Sequence, residues 1–483
     1  MAYLMGIDLG TSGVRAGIYN DSGVCLGIAA AQYPIDTPAP DRAEQDPAEW
    51  WRRTCDCIRG ALERSGIGGG DIGGISLSGQ MHGTVLLDRY GEPSSPAIIW
   101  ADSRSGDECA ELAEILGEKR LTKIIMNRMF PGTQAATIQW LRKHDRATWN
   151  STRRILAPKD YIRYRMCGLF NTEPSDASAT LLFDVGVGEW SEDVLKALAL
   201  PIEYFPYVVN SDQYIAETED IEDVTGLPDG IPVIMGGGDQ PCAALGNGVL
   251  DEGMLLATIG TGGQLFAPTA SPKISPDLSL NTFCHLQSSR WYVMGATLAA
   301  GLSLKWFRDT FHPEADFHTL AAEAAKVPPG TRGLTFVPHL AGTRSPKLDP
   351  EAKGSFAGID LGHGRGHFVR AIMEGVAFEL RSNLDVMRGM GIAPERVVFS
   401  GGGAKSPLWS QILADVFGVP VTVSTREEAA CFGAALLAGI GAGVYTGFKD
   451  AAARVDKGEQ TVEPERETAE RYNEIYAAFQ EQM

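Results

Sequence analysis

The 483-residue chain contains no long apolar run and no recognisable leader at its start. No apolar stretch approaches the roughly 20 residues that a helix needs to cross a bilayer. The first residues run directly into an apolar strand pattern, without the basic region, apolar core and cleavage site of a secretory signal. We therefore expect a cytoplasmic protein that works without a membrane.

Paired cysteines and an excess of positive charge are also missing. The eight cysteines are scattered and form no C-x-x-C pair, which argues against a zinc site and favours reduced thiols. Lysine and arginine number 42 against 61 acidic residues, so the formal net charge is −19. A surface this acidic disfavours nucleic acids and anionic membranes as partners. An anionic ligand would need local dipoles, a few cations or a metal ion to overcome this field.

The chain is too long for one hydrophobic core, and its patterns predict two domains of α/β type. Strand patterns at residues 3–8, 13–20 and 23–35 predict an antiparallel meander. A helix pattern follows, with Asp46 as its N-cap and Pro47 in its first turn. This order of elements predicts a mixed sheet covered by helices.

Two glycine turns of similar sequence lie about half a chain apart. LGTSG occupies residues 9–13 and IGTGG occupies residues 259–263, each between two strand patterns. Such self-similarity indicates duplication of one domain, and chance recurrence in a chain with 56 glycines is the alternative. We predict two domains, 1–248 and 249–483, packed around a cleft.

The same glycine turns are candidate phosphate sites. Backbone N–H groups can bind phosphate oxygens where no side chain stands in the way, and the hydroxyls of Thr11, Ser12 and Thr261 can add donors. The chain has no G-x-x-x-x-G-K-[ST] loop that would serve this purpose instead. Asp8 lies two residues before the first turn, where it would repel a phosphate unless a divalent cation joined the two. The alternative for Asp8 is a structural role, bonding nearby turn amides.

Asp239 follows a buried strand pattern, residues 232–238, that ends in three glycines. Ligand sites in α/β sheets collect at such strand ends. An aspartate there is a candidate general base that accepts a hydroxyl proton during phosphoryl transfer. The alternative is a helix N-cap, for which aspartate is a favoured residue.

Three further stretches carry polar or glycine-rich residues at the ends of predicted strands. SGQMHG, residues 78–83, can offer polar groups to a polyol, although His82 fits a structural role equally well. Trp100 either lines a site or belongs to the core. The glycine turn with Gly402 and Gly403 can take a flat adenine ring against its backbone, or it is an ordinary βα loop.

Together these motifs resemble those of the FGGY carbohydrate kinases, over nearly the whole chain. The segment GSFAGIDLGHGRGHFVRAIMEGVAFEL fits the family's C-terminal signature. Three further segments resemble the corresponding segments of the family members that phosphorylate D-xylulose: GQMHG, PKDYIRYRMCG and SDASATLLFDV. The resemblance implies two duplicated actin-like (ribonuclease-H-like) α/β domains with a deep interdomain cleft. The domain 1–248 would bind the sugar, and the domain 249–483 would bind the nucleotide.

The resemblance also implies roles for individual residues. Asp239 corresponds to the catalytic base and Asp8 to the family's phosphate-loop aspartate, and both are implied ligands of Mg²⁺. The implied sugar-binding residues are Met81, His82, Trp100 and Gln240. The implied nucleotide-binding residues are Thr11, Ser12, Gly13, Thr261, Gly262, Gly301, Gly402, Gly403 and Ser406.

The reaction implied by the resemblance is transfer of the ATP γ-phosphoryl group to D-xylulose, giving D-xylulose 5-phosphate. Gln240 departs from the pattern, because many family members that act on this sugar have asparagine at this position. One alternative is therefore a family kinase for another ketose, a polyol or a sugar acid. The other is an actin-like ATPase whose nucleotide state switches a partner-binding surface. A homodimer is compatible with the sequence.

Overall fold

The computed structural model describes residues 2–455 and 460–481 of the chain. The strands are β1 (Tyr3–Leu9), β2 (Gly13–Asn20), β3 (Cys25–Gln32), β4 (Glu44–Gln45), β5 (Ile72–Gly79), β6 (Val85–Leu87), β7 (Ala97–Ile98), β8 (Arg154–Leu156), β9 (Asn171–Thr172), β10 (Phe183–Asp184), β11 (Glu189–Trp190), β12 (Tyr207–Val208), β13 (Tyr214–Glu217), β14 (Pro232–Gly238), β15 (Met254–Ile259), β16 (Gly263–Thr269), β17 (Asn281–Cys284), β18 (Trp291–Thr297), β19 (Thr335–Val337), β20 (Ser355–Ala357), β21 (Arg396–Ser400), β22 (Val421–Val423) and β23 (Thr461–Val462).

The helices are α1 (Pro47–Ser65), α2 (Gly106–Arg120), α3 (Gln134–His144), α4 (Arg146–Ser151), α5 (Pro158–Cys167), α6 (Pro174–Ala179), α7 (Glu192–Ala197), α8 (Glu222–Thr225), α9 (Asp239–Gly246), α10 (Gly301–Phe311), α11 (Phe317–Ala324), α12 (Arg365–Gly389), α13 (Pro407–Phe417), α14 (Ala429–Gly441), α15 (Phe448–Ala452) and α16 (Arg466–Gln480). A π-helical turn covers Leu121–Ile125, directly after α2. Short 3₁₀ turns cover Gly69–Asp71, Ile202–Tyr204, Pro276–Leu278, Thr331–Gly333 and Gly402–Lys405.

The chain divides into two compact units. The first contains the chain up to Gly248, together with Thr282–Trp291 and Glu428–Val455. The second contains Val249–Asn281, Tyr292–Glu427 and the described residues from 460 onwards. The expected domains are defined by the ligand that each would bind, the sugar for 1–248 and the nucleotide for 249–483. They stay a prediction.

The first unit is built on a six-stranded mixed sheet in the order β13-β14-β5-β1-β2-β3. β1, β2 and β3 are antiparallel neighbours, which confirms the predicted meander. β5 pairs in parallel with β1 on one side and with β14 on the other. Helix α1 contacts β2 and β3, and it begins as predicted: Pro47 opens it, and Asp46 caps it by accepting a hydrogen bond from the Ala48 N–H.

The second unit is built on six strands of a second sheet, in the order β18-β16-β15-β21-β22-β23. β15 is antiparallel to β16 and parallel to β21, β22 continues the parallel part, and β23 is an antiparallel edge strand. In the first sheet, β1 has the corresponding neighbours β2 and β5, and β14 and β13 continue that sheet in the same way. Duplication of one domain predicts this shared order, and the two mixed sheets confirm the α/β class.

Each unit has its own apolar core. The core of the first gathers residues from its strands and from α1 and α5, such as Ile7, Leu77 and Ile162. The core of the second gathers residues from its sheet and from α12, α13 and α16, such as Leu255 and Phe378. In the part of the chain that the structure describes, no helix combines the length and the apolar content needed to cross a bilayer.

Helix α14 packs closely on the first sheet because glycines line the contact. The helix contacts β1, β5 and α9. A Cβ atom at Gly6 of β1 would lie 1.9 Å from the carbonyl oxygen of Cys431. A Cβ atom at Gly433 of α14 would lie 1.9 Å from the carbonyl oxygen of Cys242. The close approach also lets the Cys431 thiol donate to the Gly6 carbonyl at 3.2 Å, so a late segment of the chain supports β1.

We expect Gly433→Ala to destabilise the protein, because its methyl group would collide with the Cys242 backbone. Overpacking of this kind costs about 1–3 kcal/mol, and more where backbone must move. Gly389→Ala, at the end of α12, is the matched control, since nothing lies within 4 Å of its added Cβ. Alanine also favours a helix over glycine by up to about 1 kcal/mol. Thermal unfolding of both variants measures the effect, and a wild-type Tm for Gly433→Ala would contradict the packing.

Candidate active site

Three neighbouring parallel strands of the first sheet end together at one edge. β5 lies between β1 and β14. Asp8 of β1 and Gly237 of β14 are both in register with Ser78 of β5, so the three residues form one row across the sheet. The glycine turn after β1, the GQMHG turn after β5 and Asp239 after β14 all follow at this edge. The sheet therefore brings together residues that are far apart in the chain.

Asp239 is the first residue of α9, directly after the tip of β14. The N-cap of α9 is Gly238, so the interpretation of Asp239 as the helix N-cap is wrong. The pKa of its carboxyl is raised to about 7, mainly because burial removes water and also because Asp8 is negatively charged. Hydrogen bonds from Gln240 act in the opposite direction. A carboxyl group whose pKa lies near neutral pH is well suited to accept a proton.

Asp8 is the second carboxylate of this edge, and it is almost completely buried. Its carboxylate accepts a hydrogen bond of 2.8 Å from the Ser78 hydroxyl. Burial raises the pKa of Asp8, while Ser78 and the charge of Arg15 lower it. Arg15 is itself in an ion pair, with its Nε 2.6 Å from Glu428. The charge of Asp8 is therefore only partly compensated by this cation.

The two carboxylates fit a small divalent cation. Asp8 raises the pKa of Asp239 by repulsion, and a cation bound by both would relieve that repulsion. Within the described residues, no three or more His, Cys, Asp or Glu side chains are arranged to hold a metal ion. Mg²⁺ does not need such a cluster, because it keeps several waters and binds one or two carboxylates together with substrate phosphates.

The glycine turn after β1 is closed by a hydrogen bond of 3.0 Å from the Gly10 N–H to the Gly13 carbonyl. The Tyr33 hydroxyl donates to the Gly10 carbonyl. The Trp100 indole N–H donates to the Thr11 hydroxyl at 2.8 Å. Trp100, a predicted sugar-binding residue, thus donates a hydrogen bond to Thr11, a predicted nucleotide-binding residue. The glycine turn is thus held by Tyr33 and Trp100 from outside it, which suits binding of a phosphate without rearrangement.

Gln45 joins two turns of the site and was missed by sequence reasoning. It is buried in β4, where its amide N–H₂ donates to the Thr11 carbonyl at 2.8 Å. Its amide oxygen accepts a hydrogen bond of 3.0 Å from Gln80 in the GQMHG turn. The only local signal is its place before the helix cap Asp46, which predicts the start of a helix and no long-range contact.

The GQMHG turn lies against the residue that precedes Asp239. A Cβ atom at Gly238 would lie 2.8 Å from Cγ of Met81, so the methionine side chain covers this glycine. The backbone of His82 is left-handed, with φ 72°. Its Nδ1 lies 2.8 Å from the Ala179 carbonyl, so Nδ1 carries a proton and donates a hydrogen bond to that carbonyl.

In the second unit, predicted nucleotide-binding residues surround the end of β15. The Gly260 N–H bonds to the Gly262 carbonyl at 2.9 Å, which closes the turn with Thr261 at its exposed tip. The first residue of α10, Gly301, donates its N–H to the Gly260 carbonyl at 2.9 Å. A Cβ atom at Gly301 would lie 2.3 Å from that oxygen. Glycine is therefore required where α10 meets the turn.

The glycine turn after β21 reaches the same strand end. A Cβ atom at Gly403 would lie 2.8 Å from the side chain of Ile259, whereas Gly402 is exposed. Ser406 is the N-cap of α13, and its hydroxyl accepts a hydrogen bond from the Trp409 N–H. Gly403 and Ser406 thus have local structural roles as well as their predicted part in nucleotide binding.

Two family models match the chain. The N-terminal domain of the FGGY family of carbohydrate kinases matches residues 3–246, and the C-terminal domain matches residues 255–442. The xylulose kinase of Bacillus subtilis (strain 168) is 34% identical over 480 residues, which cover 99% of this chain and 96% of that protein. This chain belongs to the FGGY family of carbohydrate kinases.

Solved structures share the whole fold of this FGGY kinase. The crystal structure of a "xyloylose kinase" from Brucella ovis is 30% identical, with a TM-score of 0.91, and the match covers 99% of this chain and 98% of that one. Gluconate kinase from Lactobacillus acidophilus is 22% identical, with a TM-score of 0.94 and coverage of 99% and 97%. These likenesses confirm the predicted two-domain α/β fold. The second, at its low identity, shows the fold alone.

The raised pKa of Asp239 predicts a pH-dependent stability of this FGGY kinase. Its ordinary pKa is 3.8 and its pKa in the folded protein is about 7. The folded state therefore keeps this proton up to a higher pH than the unfolded chain does. Stability is therefore lost as the pH rises from about 4 to about 7. We expect Asp239→Asn to raise the Tm above that of the wild type at pH 8 but not at pH 4. Thermal unfolding without divalent cations measures this, and a difference that stays constant with pH would contradict the raised pKa.

Proposed function

We propose that this FGGY kinase transfers the γ-phosphoryl group of ATP to the terminal hydroxyl of D-xylulose. The products are D-xylulose 5-phosphate and ADP. The proposal rests on the position of Asp239, which follows the tip of β14 beside the GQMHG turn and has a carboxyl pKa of about 7. The sugar is taken from relatives such as the xylulose kinase of Bacillus subtilis, which is 34% identical.

Asp239 accepts the proton of the sugar hydroxyl while that oxygen forms its bond to the γ-phosphorus. The bond from the γ-phosphorus to the oxygen that bridges the β and γ phosphates breaks, and ADP leaves. N–H groups of the Thr11 and Thr261 turns bind the phosphate oxygens and stabilise their charge. Asp8 and Asp239 would hold Mg²⁺, which when bound supplies positive charge to the phosphate oxygens.

Four residues of the first unit form the proposed sugar site. The ring of His82 is one of them, and its Nδ1–H donates to the Ala179 carbonyl, which fixes its orientation. The Gln240 amide offers both a donor and an acceptor next to the base. Met81 supplies an apolar wall, and the partly exposed indole of Trp100 supplies a flat one.

The division of the two ligands between the domains is also a proposal. The first domain, 1–248, would bind the sugar, and the second, 249–483, would bind the nucleotide. A cytoplasmic location, which is expected from the sequence, and a homodimer, which is only compatible with it, remain proposals. The residues proposed to contact ATP are Thr11, Ser12, Gly13, Thr261, Gly262, Gly301, Gly402, Gly403 and Ser406.

A different acceptor is the second candidate, and Gln240 is the residue that favours it. Its side chain is one methylene longer than asparagine, which moves the amide that follows the base. The reaction would then be the same with another ketose, a polyol or a sugar acid. The switch-ATPase alternative has lost its support, because the chain belongs to a family of carbohydrate kinases.

The test is ADP release from Mg·ATP with D-xylulose, L-ribulose, glycerol or D-gluconate, each beside a blank without acceptor. Selective stimulation by D-xylulose would support the proposal. Stimulation by another compound would keep the mechanism and change the substrate. Equal rates with every acceptor and with the blank would contradict a sugar kinase of this specificity.

Asp239→Asn is expected to lower kcat by roughly 10²–10⁴-fold, the usual contribution of a general base. The KM for the sugar should change far less, because the asparagine keeps the size of the side chain. Steady-state kinetics measure both parameters. Asp193→Asn, at an exposed carboxylate paired with Arg120, is the control and should behave as the wild type. Near-normal turnover of Asp239→Asn would remove Asp239 from the mechanism.

A further inference from the structure

The stretches PKDYIRYRMCG and SDASATLLFDV meet around one buried lysine of the first unit. Lys159 is fully buried, and its Nζ lies 2.7 Å from Asp160, 3.3 Å from Glu173 and 3.0 Å from Asp176. A cation so far from water is tolerated only where counter-charges surround it. Neither stretch has a part in the proposed reaction so far.

Attraction between opposite charges holds this ion cluster together. Burial opposes the charge of Lys159, but the carboxylates of Asp160, Asp176 and Glu173 outweigh it and raise its pKa. Burial raises the pKa of Asp176 to about 8, while the charge of Lys159 lowers it. The buried Arg163 adds a second cation, 3.9 Å from Asp160. A buried cluster of paired charges is a rigid anchor, because any displacement would separate its charges.

One hydroxyl connects this cluster to the tip of β14. Ser175 donates its Oγ–H to Oε1 of Glu173 at 2.9 Å. The same Oγ accepts a hydrogen bond of 3.0 Å from the backbone N–H of Gly238. Gly238 is the residue before Asp239 and the N-cap of α9. Ser175 and Glu173 are fully buried, so this connection is shielded from solvent.

The strand β14 is irregular just before its tip, and beyond the irregularity Gly237 and Gly238 pair again with β5, so the contact to Ser175 adds to that pairing. The register between β14 and β5 shifts between Ile234 and Gly237. Within this irregularity Gly236 has a left-handed backbone, with φ 90°. The direction of the last residues is therefore not set by the regular part of the strand alone. The bond from Gly238 to Ser175 restrains it immediately before Asp239.

We propose that Ser175 is a positioning residue, whose hydroxyl, held by Glu173 of the Lys159 ion cluster, aims the tip of β14 and so the carboxylate of Asp239 at the acceptor hydroxyl. The inference rests on the proposed role of Asp239 as the base. Proton transfer needs the carboxylate within about 3 Å of the hydroxyl, so a small rotation of this tip reduces turnover. The ion cluster supplies the rigidity, and Ser175 transmits it to the backbone.

Ser211 is a matched control in the same network. Its hydroxyl donates to the other oxygen of Glu173, Oε2, at 3.0 Å, and it is buried to a similar extent. Its backbone carbonyl accepts from the Gly236 N–H, a bond that an alanine substitution leaves in place. Ser175→Ala and Ser211→Ala therefore each remove one hydrogen bond to Glu173. Only Ser175→Ala also removes the partner of the Gly238 N–H.

We expect Ser175→Ala to lower kcat roughly 10–100-fold, as misplaced catalytic groups do, with KM for ATP and acceptor changed by no more than about twofold. Ser211→Ala should keep kcat within about twofold of the wild type. Ser175→Thr keeps the hydroxyl and should restore part of the loss. An unchanged kcat for Ser175→Ala, or an equal loss in Ser211→Ala, would overturn the positioning role.

Amide hydrogen exchange gives a second readout that needs no substrate. In the free protein, Ser175→Ala should speed exchange at Gly238 and Asp239, and Ser211→Ala should not. If the wild type phosphorylates no acceptor, the proposed function fails while the exchange data still decide whether Ser175 holds the strand tip. Unchanged exchange would overturn the inference. If Ser175→Ala does not fold, Ser175→Cys, with a weak donor and acceptor of similar size, undergoes the same measurements with the same criteria.

Discussion

The parallel pairing of β5 with β1 on one side and with β14 on the other is the constraint on which the candidate site depends. Strands two places apart in a sheet are separated by roughly 10 Å, whatever their distance along the chain. Asp8 and Asp239 can therefore act on each other, and the negative charge of Asp8 raises the pKa of Asp239. The GQMHG turn follows the middle strand, so it lies between the two carboxylates in the order of the sheet.

Buried charges in the first unit occur in two different environments, one in which they are paired and one in which they are not fully paired. Around Lys159, opposite charges are paired within a buried cluster, which contributes to rigidity. At the strand tips, Asp8 and Asp239 repel each other, and Arg15 is shared with Glu428. Incomplete compensation of this kind is costly to the fold and is typical of functional sites. It also suits an anionic substrate that arrives with a divalent cation, on a chain whose net charge is −19.

Patterns among neighbouring residues were sufficient to predict the strands and turns on which the site residues lie. The apolar patterns and glycine turns predicted β1, β2 and the strand before Asp239, because these features depend on residues that are neighbours in the chain. Asp46 was predicted as a cap for the same reason. Asp239 had two local interpretations, strand-tip base and helix N-cap, and the structure removed the second. The roles of the individual site residues stay predictions, whereas the family and the two-domain α/β fold are confirmed.

No local sequence pattern predicted the contacts between residues that are far apart in the chain. Gln45 bonds to Gln80, and Ser175 bonds to Gly238, through short polar side chains that occur in no motif with their partners. The sequence by itself determined the α/β class, the repeated glycine turns, the helix caps and the kinase family, since hydrophobic periodicity, turn chemistry and motifs are local properties of the chain. Only the tertiary structure decided which hydroxyl holds the tip of β14 and how far the Asp239 carboxyl is perturbed. Both depend on which groups the folded chain brings within a few ångströms, and burial and charge act through space at that range.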